Sequence, residues 1–343
     1  MRVQVSLSAP QTNMEYMLIQ FIIIIPIYNS QNTLKNTLDS LKNQTYKNYK
    51  AILIDDGSTD NSYDIAQEYT QYNRIILHKH KNSGVSIARN KALKIAQEEY
   101  EKTKAKDIYV CFLDSDDLLE NFALEHYKNI IEENKNIQCI LSNSVYYANY
   151  DYTNKELQEN YFFNKEIINT NLISPQQIAF HLRNEWHSPC MYCYDADFLF
   201  STNINFIETN ILHEDNLYHT SIMLKTEKLY INNIAVYTIV KSKDSLTRSN
   251  ITLQKAQLEV KSFYTIIQEY EKLLINQESK FWKKFLKRKI RYHARRLFKY
   301  ILYTGYFDIY TKKEILKYRK YFSFGKIVKL YLLDKFPNIK ERL

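Results

Sequence analysis

Two short apolar runs, residues 51–54 and 108–113, each end abruptly in carboxylates. Asp55-Asp56-Gly57-Ser58-Thr59-Asp60 follows the first and Asp114-Ser115-Asp116-Asp117 the second. Short β-branched and aromatic runs bounded by polar residues read as buried strands. Carboxylates crowded at the end of such a strand repel one another unless a cation sits among them. Mg²⁺ and Mn²⁺ favour carboxylate and phosphate oxygens, so a divalent metal carrying a diphosphate is the expected occupant. The repetition turns a suggestive cluster into a strong constraint.

The flanking residues supply the rest of the pattern. Residues 18–27 form a continuous apolar run, as in a parallel sheet covered on both faces, and it breaks at Pro26-Ile27-Tyr28-Asn29. Leu34, Leu38 and Leu41 give residues 33–44 a helical period. Strands are predicted at 50–54, 74–77 and 108–113. Helices are predicted from near Asn61 (capped by Asp60), over 84–96 and over 119–131. Strands alternating with helices imply βαβ units and a parallel sheet, whose ligands bind at the carboxyl ends of the strands. Every motif named so far falls at that edge. Beyond residue 141 the pattern is irregular, with strands of a mixed sheet suggested in 186–194 and 229–240, and from residue 253 it reads as helical.

With 4 Gly and 5 Pro in 343 residues there is little room for flexible linkers. Four cysteines make no disulfide framework in a chain this long. Cys190 and Cys193 have a CxxC spacing with His187 upstream, but no second ligand pair is near, so they read as buried, reduced thiols rather than a zinc site. Charge is unevenly placed: residues 280–343 hold 20 Lys and Arg against 4 Asp and Glu, a net of +16. Set against +9 for the whole chain, this leaves −7 on residues 1–279. Within the basic segment Trp282, Leu286, Ile290, His293, Leu297 and Ile301 recur every three or four residues. Two readings follow: an amphipathic segment on an anionic membrane surface, or helices packed on the main domain with their lysines solvated. No nucleic-acid recognition module accompanies the charge, so nucleic acid is not an expected partner. A secretory signal and a spanning apolar run of about 20 residues are both missing from the pattern. The expectation is a cytoplasmic protein, peripheral on the inner face of the membrane if the basic segment binds there.

The motifs suit a nucleotide-diphosphate-sugar. Asp56 can accept the imide proton of a uracil, and Asp114 and Asp116, one residue apart, can face one cavity across a turn. Arg89, in Ala88-Arg89-Asn90, is within a helix turn of the same edge and is expected to reach the base or phosphates. His213-Glu214-Asp215-Asn216 offers a carboxylate as general base for an acceptor hydroxyl, although acids also suit the first turn of any helix.

Taken in order, Pro26-Ile27-Tyr28-Asn29, Gln44-Thr45, Asp55 to Asp60, Asn82-Ser83-Gly84, Ala88-Arg89-Asn90 and Asp114 to Asp117 resemble the family 2 glycosyltransferases of the GT-A fold. The likeness covers residues 21–121 and continues more weakly through His213-Glu214-Asp215 to Asp244-Ser245-Leu246-Thr247. It implies an α/β GT-A fold, a mainly parallel Rossmann-like sheet between helices. The domains would then be an extension (1–17), a catalytic domain (18–250, with a nucleotide-sugar half to 121 and an acceptor half beyond) and a helical basic region (251–343). It also implies roles: Asp56 for the nucleotide, with Pro26, Tyr28 and Asn29 lining the base pocket. Asp114 and Asp116 would meet ribose and Mn²⁺ or Mg²⁺, Asp117 would be an additional ligand, and Asp215 the catalytic base. The reaction implied is inverting transfer from a UDP-sugar to a hydroxyl of a glycan or lipid-linked glycan acceptor, such as lipooligosaccharide or capsule. Two departures stand out: Lys241 or Lys243 replaces the loop arginine before the Ser-Leu-Thr segment, and the Gln-X-X-Arg-Trp signature of processive relatives is missing, which favours single additions. Two other readings compete. A catalytically silent GT-A scaffold is disfavoured by retention of every acidic position. A sugar nucleotidyltransferase is disfavoured because residues 26–33 contain no glycine.

Overall fold

The computed structural model describes residues 19–103, 107–149, 151–152, 154–159, 161–162, 164, 170–181, 188–241, 252–304 and 317–318. Its centre is a parallel block in the order β3-β2-β1-β4, formed by β1 (Gln20–Ile27), β2 (Tyr49–Asp55), β3 (Ile75–Lys79) and β4 (Ile108–Phe112). Past Gln20 every residue of β1 is buried, as its unbroken apolar run requires of a strand covered on both faces. Pro26 lacks an amide hydrogen yet lies in this central strand. The β1–β4 pairing ends at Ile24–Phe112, whereas β1–β2 continues to Ile27–Asp55, so the proline falls where β4 no longer pairs. The tip of β1 thus projects past its neighbour and carries Tyr28 and Asn29 over the sheet edge.

The helices between these strands follow the apolar period closely. Helix α1 (Leu34–Lys42) buries Leu34, Leu38 and Leu41, α2 (Ser62–Glu68) follows β2, and α3 (Val85–Lys102) runs six residues beyond the expected end. Helix α4 (Ala123–Glu133) starts later than expected because Leu118–Leu119 forms a short strand, β5. That strand pairs with β12 (Tyr237–Lys241), so the strands expected within 229–240 are divided between two sheets instead of sharing one mixed sheet.

On its far side the large sheet becomes mixed. Beyond β4 come β10 (Tyr192–Asp195, followed directly by helix α5, Ala196–Ser201), β6 (Cys139–Ser142), β11 (Leu229–Asn232) and β9 (Leu172–Ile173), with β10 antiparallel to both neighbours. In the expected strand 186–194 only the last residues pair, and Trp186 and His187 lie outside the described residues. Cys193 sits opposite Cys111, and all four thiols are free and buried, as the reduced-thiol reading expects. Burial pushes the Cys139, Cys190 and Cys193 thiols well up. A second, four-stranded sheet places β12 between β5 and β7 (Val145–Asn149), with β8 (Lys155–Gln158) outermost.

Helix α7 (Leu253–Asn276) and helix α8 (Lys280–Thr304) form a hairpin. The stripe Trp282, Leu286, Ile290, His293, Leu297, Ile301 is buried, chiefly against Phe263, Ile266, Ile267 and Tyr270 of α7. Packing is the reading the structure supports for this apolar face, which is therefore spent inside the protein. The opposite face of α8 presents Lys280, Lys284, Lys287, Arg291, Arg295 and Lys299 to solvent.

Candidate active site at the sheet edge

Strand order reverses direction of travel at β1 and β4, and the crevice at such a switch point is where open α/β sheets bind ligands. Three turns meet there. After β2, Gly57 has φ +72°, and a Cβ on it would lie 2.6 Å from the Asn82 amide nitrogen, so the turn requires glycine. Asp56 is thereby directed across to the start of α3: its Oδ1 accepts from the Ser83 amide and its Oδ2 from the Gly84 amide, each at 2.8 Å. Asn29, at φ 48°, joins the β1 turn to the β2 turn, accepting from the Thr59 amide at 2.9 Å and donating its own amide to Ser58 Oγ at 3.1 Å. Asp60 lies one residue before the N-cap Asn61 and still satisfies the first amide of α2, accepting from Ser62 at 3.0 Å, and also from the Gln31 amide at 3.1 Å. Tyr28 is half exposed at the sheet edge, while Pro26 is buried near the end of β1.

The turn after β4 is gripped from two sides. From α1 and the residues leading into it, the Thr33 and Thr37 hydroxyls both donate to the Ser115 carbonyl at 3.0 Å, and Ser30 Oγ lies 2.6 Å from Ser115 Oγ. From β12, the Tyr237 hydroxyl donates to Asp117 Oδ2 and the Val240 amide to Asp117 Oδ1, both at 2.8 Å. This corrects the expectation for Asp117: it is buried with both oxygens engaged, and it anchors the turn instead of facing a ligand. Burial, with the charges of Asp116 and Asp114 beside it, holds its carboxyl well above the usual range. Asp114 and Asp116 are each partly exposed on the crevice side of the turn.

Arg89 also departs from expectation. It is buried, with one terminal nitrogen 3.0 Å from Asp114 Oδ1, the other 2.9 Å from Glu214 Oε1, and its guanidinium over the Phe206 ring. Both arms are committed to protein carboxylates, so it bridges two halves of the site rather than extending to a base or phosphate. Through that bridge α6 (Glu214–Met223) is tied to the β4 turn. Asp215 sits in the first turn of α6, its Oδ1 accepting from the Asn216 amide at 2.8 Å. Burial and the adjacent Glu214 push its carboxyl up to about 8, against the opposing pull of Arg89. A carboxyl poised in that range suits proton abstraction near neutral pH.

Among the described residues no three His, Cys, Asp or Glu side chains form a ready-made metal cage. Mg²⁺ and Mn²⁺ bound with phosphates do not need one: one or two carboxylates suffice, with substrate oxygens and water completing the shell. Asp114 and Asp116, hard oxygen donors at an open crevice, fit that chemistry. Lys241 ends β12 with its ammonium 5.4 Å from the Tyr147 ring centre, while Lys243 and residues 244–247 lie outside the described residues. Sequence reasoning passed over Tyr237, one of 30 tyrosines with nothing to mark it. It also passed over Glu259, whose signal was a lone acid between Ala256 and Phe263 on the apolar face of a helix.

Comparison with known proteins speaks to the family and the fold. The family model described as glycosyl transferase family 2 matches residues 22–202, just over half of the 343. Glycosyltransferase GlyA of Streptococcus pneumoniae is 30% identical over 244 residues, covering 66% of this chain and 31% of that protein. The cholesterol galactosyltransferase of Borreliella burgdorferi is 29% identical over 277 residues, covering 77% and 71%. The chain thus spans about a third of the first relative's length. Among solved structures, Staphylococcus aureus TarS 1–349 in complex with UDP-GlcNAc superposes with a TM-score of 0.62 at 18% identity, covering 87% of this chain and 79% of that one. At that identity the likeness speaks for the fold, and it bears out the α/β GT-A architecture.

Proposed function

The chain belongs to glycosyl transferase family 2, and from that premise we propose that it moves a hexose or N-acetylhexosamine from a UDP-sugar to a hydroxyl of a glycan or lipid-linked glycan, with inversion. The observation that carries the reading is the convergence of Asp56, the Asp114–Asp116 turn and, through Arg89, the Glu214–Asp215 pair on one crevice. Asp56, fixed by two backbone amides, keeps lone pairs for the uracil imide N–H, with Tyr28 and Asn29 at the lip and Pro26 beneath. Asp114 and Asp116 would hold Mg²⁺ or Mn²⁺ together with the donor's phosphates; that ion supplies Lewis-acid stabilisation of charge on the departing diphosphate.

Asp215 takes the proton from the acceptor hydroxyl. The acceptor oxygen forms its bond to C1 from the face opposite the diphosphate. The C1–O bond breaks, and its electron pair leaves with UDP. Buried charges at Arg89 and Glu214 hold the base at a fixed place relative to Asp114. The acceptor's chemistry and a cytoplasmic setting at the inner membrane face belong to the same reading. No helix among the described residues is long and apolar enough to cross a membrane, and the basic outer face of α8 suits an anionic surface.

The test is nucleoside-diphosphate release from a panel of UDP-, GDP- and dTDP-sugars with Mn²⁺, with and without a lipid-linked glycan extract. Release from one UDP-sugar, stimulated by acceptor and lost in Asp116→Asn and Asp215→Asn, is the expected outcome. No release from any donor by folded protein with a competent acceptor would favour a silent scaffold.

A further inference from the structure

We propose that Glu259, acting through His213, is a positioning residue for the base Asp215, so that the α7–α8 hairpin is part of the catalytic apparatus and not an appendage. The proposal rests on the reading of Asp215 as the base and adds to it the element that aims it.

His213 is the residue before α6, two positions ahead of Asp215, and has φ +66°. A side chain with a β-carbon disfavours that left-handed conformation, so the surroundings must impose it. They come from one face of α7. Glu259 Oε2 accepts from His213 Nε2 at 2.8 Å, with both side chains at most 7% exposed. Phe263 lies under the imidazole, ring centres 5.3 Å apart and nearly parallel. Ser262 Oγ accepts from the Leu212 amide at 2.7 Å, and the Tyr270 hydroxyl donates to the Asn216 carbonyl at 3.1 Å. Glu259 is itself steadied from α8, where the Tyr300 hydroxyl donates to its Oε1 at 3.3 Å.

Residues 212, 213 and 216 are therefore fastened to α7, while Glu214 is fastened to Arg89 on the opposite side. Asp215 is the acid within this span that neither clamp takes up. A hairpin held by packing alone is better served by an apolar residue than by a buried carboxylate, because the carboxylate must be desolvated and fully paired. A glutamate on the packed face of α7 makes sense where its partner's placement matters to chemistry. Small displacements of a catalytic group cost rate far more than they cost substrate binding.

The experiment uses the full chain and the variants Glu259→Ala, Glu259→Gln, Tyr300→Phe and Asp215→Asn. It reads kcat, donor KM, UDP affinity by calorimetry and the thermal midpoint. Glu259→Ala is expected to lower kcat by roughly 10- to 100-fold while donor KM and UDP affinity stay within about twofold. Glu259→Gln keeps a side-chain oxygen for the imidazole N–H and should restore most of kcat. A folded Glu259→Ala protein with wild-type kcat overturns the proposal, as does a parallel loss of UDP affinity, which would signal general loosening. If Glu259→Ala does not fold, Tyr300→Phe removes a single hydrogen bond to the same carboxylate. A selective fall in its kcat supports the role, and an unchanged kcat overturns it. Asp215→Asn separates the two levels: retained transfer there defeats the base assignment, whereas a dead Asp215→Asn beside a fully active Glu259→Ala defeats only the positioning role.

Discussion

Asp215 is where the physical cost of the site is concentrated. Its carboxyl, pushed up to about 8 by burial and Glu214, is protonated over much of the neutral range in the free protein. A base acts only when ionised, so kcat/KM should climb about tenfold per pH unit from pH 6 and level off near the carboxyl's own pKa. A flat profile over that range would remove Asp215 from the role. Stability should run the other way. The folded chain keeps this proton between the ordinary carboxylate range and about 8, where the unfolded chain has shed it, so the group's contribution to stability declines as pH rises through that window. Asparagine carries no such penalty. Asp215→Asn should raise the thermal midpoint above wild type at pH 9, with the gap narrowing at pH 6 and closing only as pH falls to the ordinary carboxylate range, while transfer is lost. A variant that is both dead and stabilised at high pH is the signature of a residue kept for chemistry at the fold's expense.

At the scale of elements, β12 does for the Asp114–Asp117 turn what α7 does for the start of α6. Tyr237 and Val240 take both oxygens of Asp117, and the Tyr237 hydroxyl also lies 3.4 Å from the Asp114 amide. Tyr237→Phe leaves Asp117 Oδ2 buried without its donor, a loss of about 1–3 kcal/mol. Donor KM should rise, because Asp114 and Asp116 lie on the turn so freed. Chemical denaturation and donor kinetics measure the two effects, and unchanged values in both would mean the turn stands on α1 alone. This pairing also marks the limit of what the sequence discloses. The parallel block was legible because its signals are local: unbroken apolar runs, an Asp-Asp-Gly turn, helices at a clear period. The grip on Asp117 spans 120 residues from Tyr237, and the Arg89–Glu214 pair spans 125, so no window of sequence contains either. Local sequence therefore points Asp117 and Arg89 toward ligand, whereas in the fold Asp117 reaches Tyr237 and Val240 and Arg89 reaches Asp114 and Glu214. Residue 118 opens the same gap: two leucines at the head of an apolar helix pattern become β5 only because β12 lies beside them.

For the molecule as a whole, the decisive feature is how α8 divides its two faces. The apolar stripe from Trp282 to Ile301 is consumed by packing, so insertion of that face among lipid tails would require unfolding the hairpin. The outer face keeps Lys280, Lys284, Lys287, Arg291, Arg295 and Lys299 in a line about 28 Å long at 1.5 Å per residue, and the sequence of α8 contains no acid to interrupt it. With +16 on residues 280–343 and −7 on the remainder, the charge asymmetry would turn this edge toward an anionic surface and hold the rest away. Binding of that kind is electrostatic docking without insertion, with each basic residue contributing about 1 kcal/mol near the surface. It follows that the protein should co-sediment with phosphatidylglycerol-containing vesicles and not with purely zwitterionic ones, and should be released as ionic strength rises past about 0.15 M, where the Debye length falls below about 8 Å. Lys287→Glu, Arg291→Glu and Arg295→Glu together should abolish vesicle binding with little change in thermal midpoint, and transfer to a soluble acceptor should persist because the stripe lies outside the crevice. Vesicle binding that survives high salt or this triple reversal would mean that something other than the outer face of α8 meets the lipid.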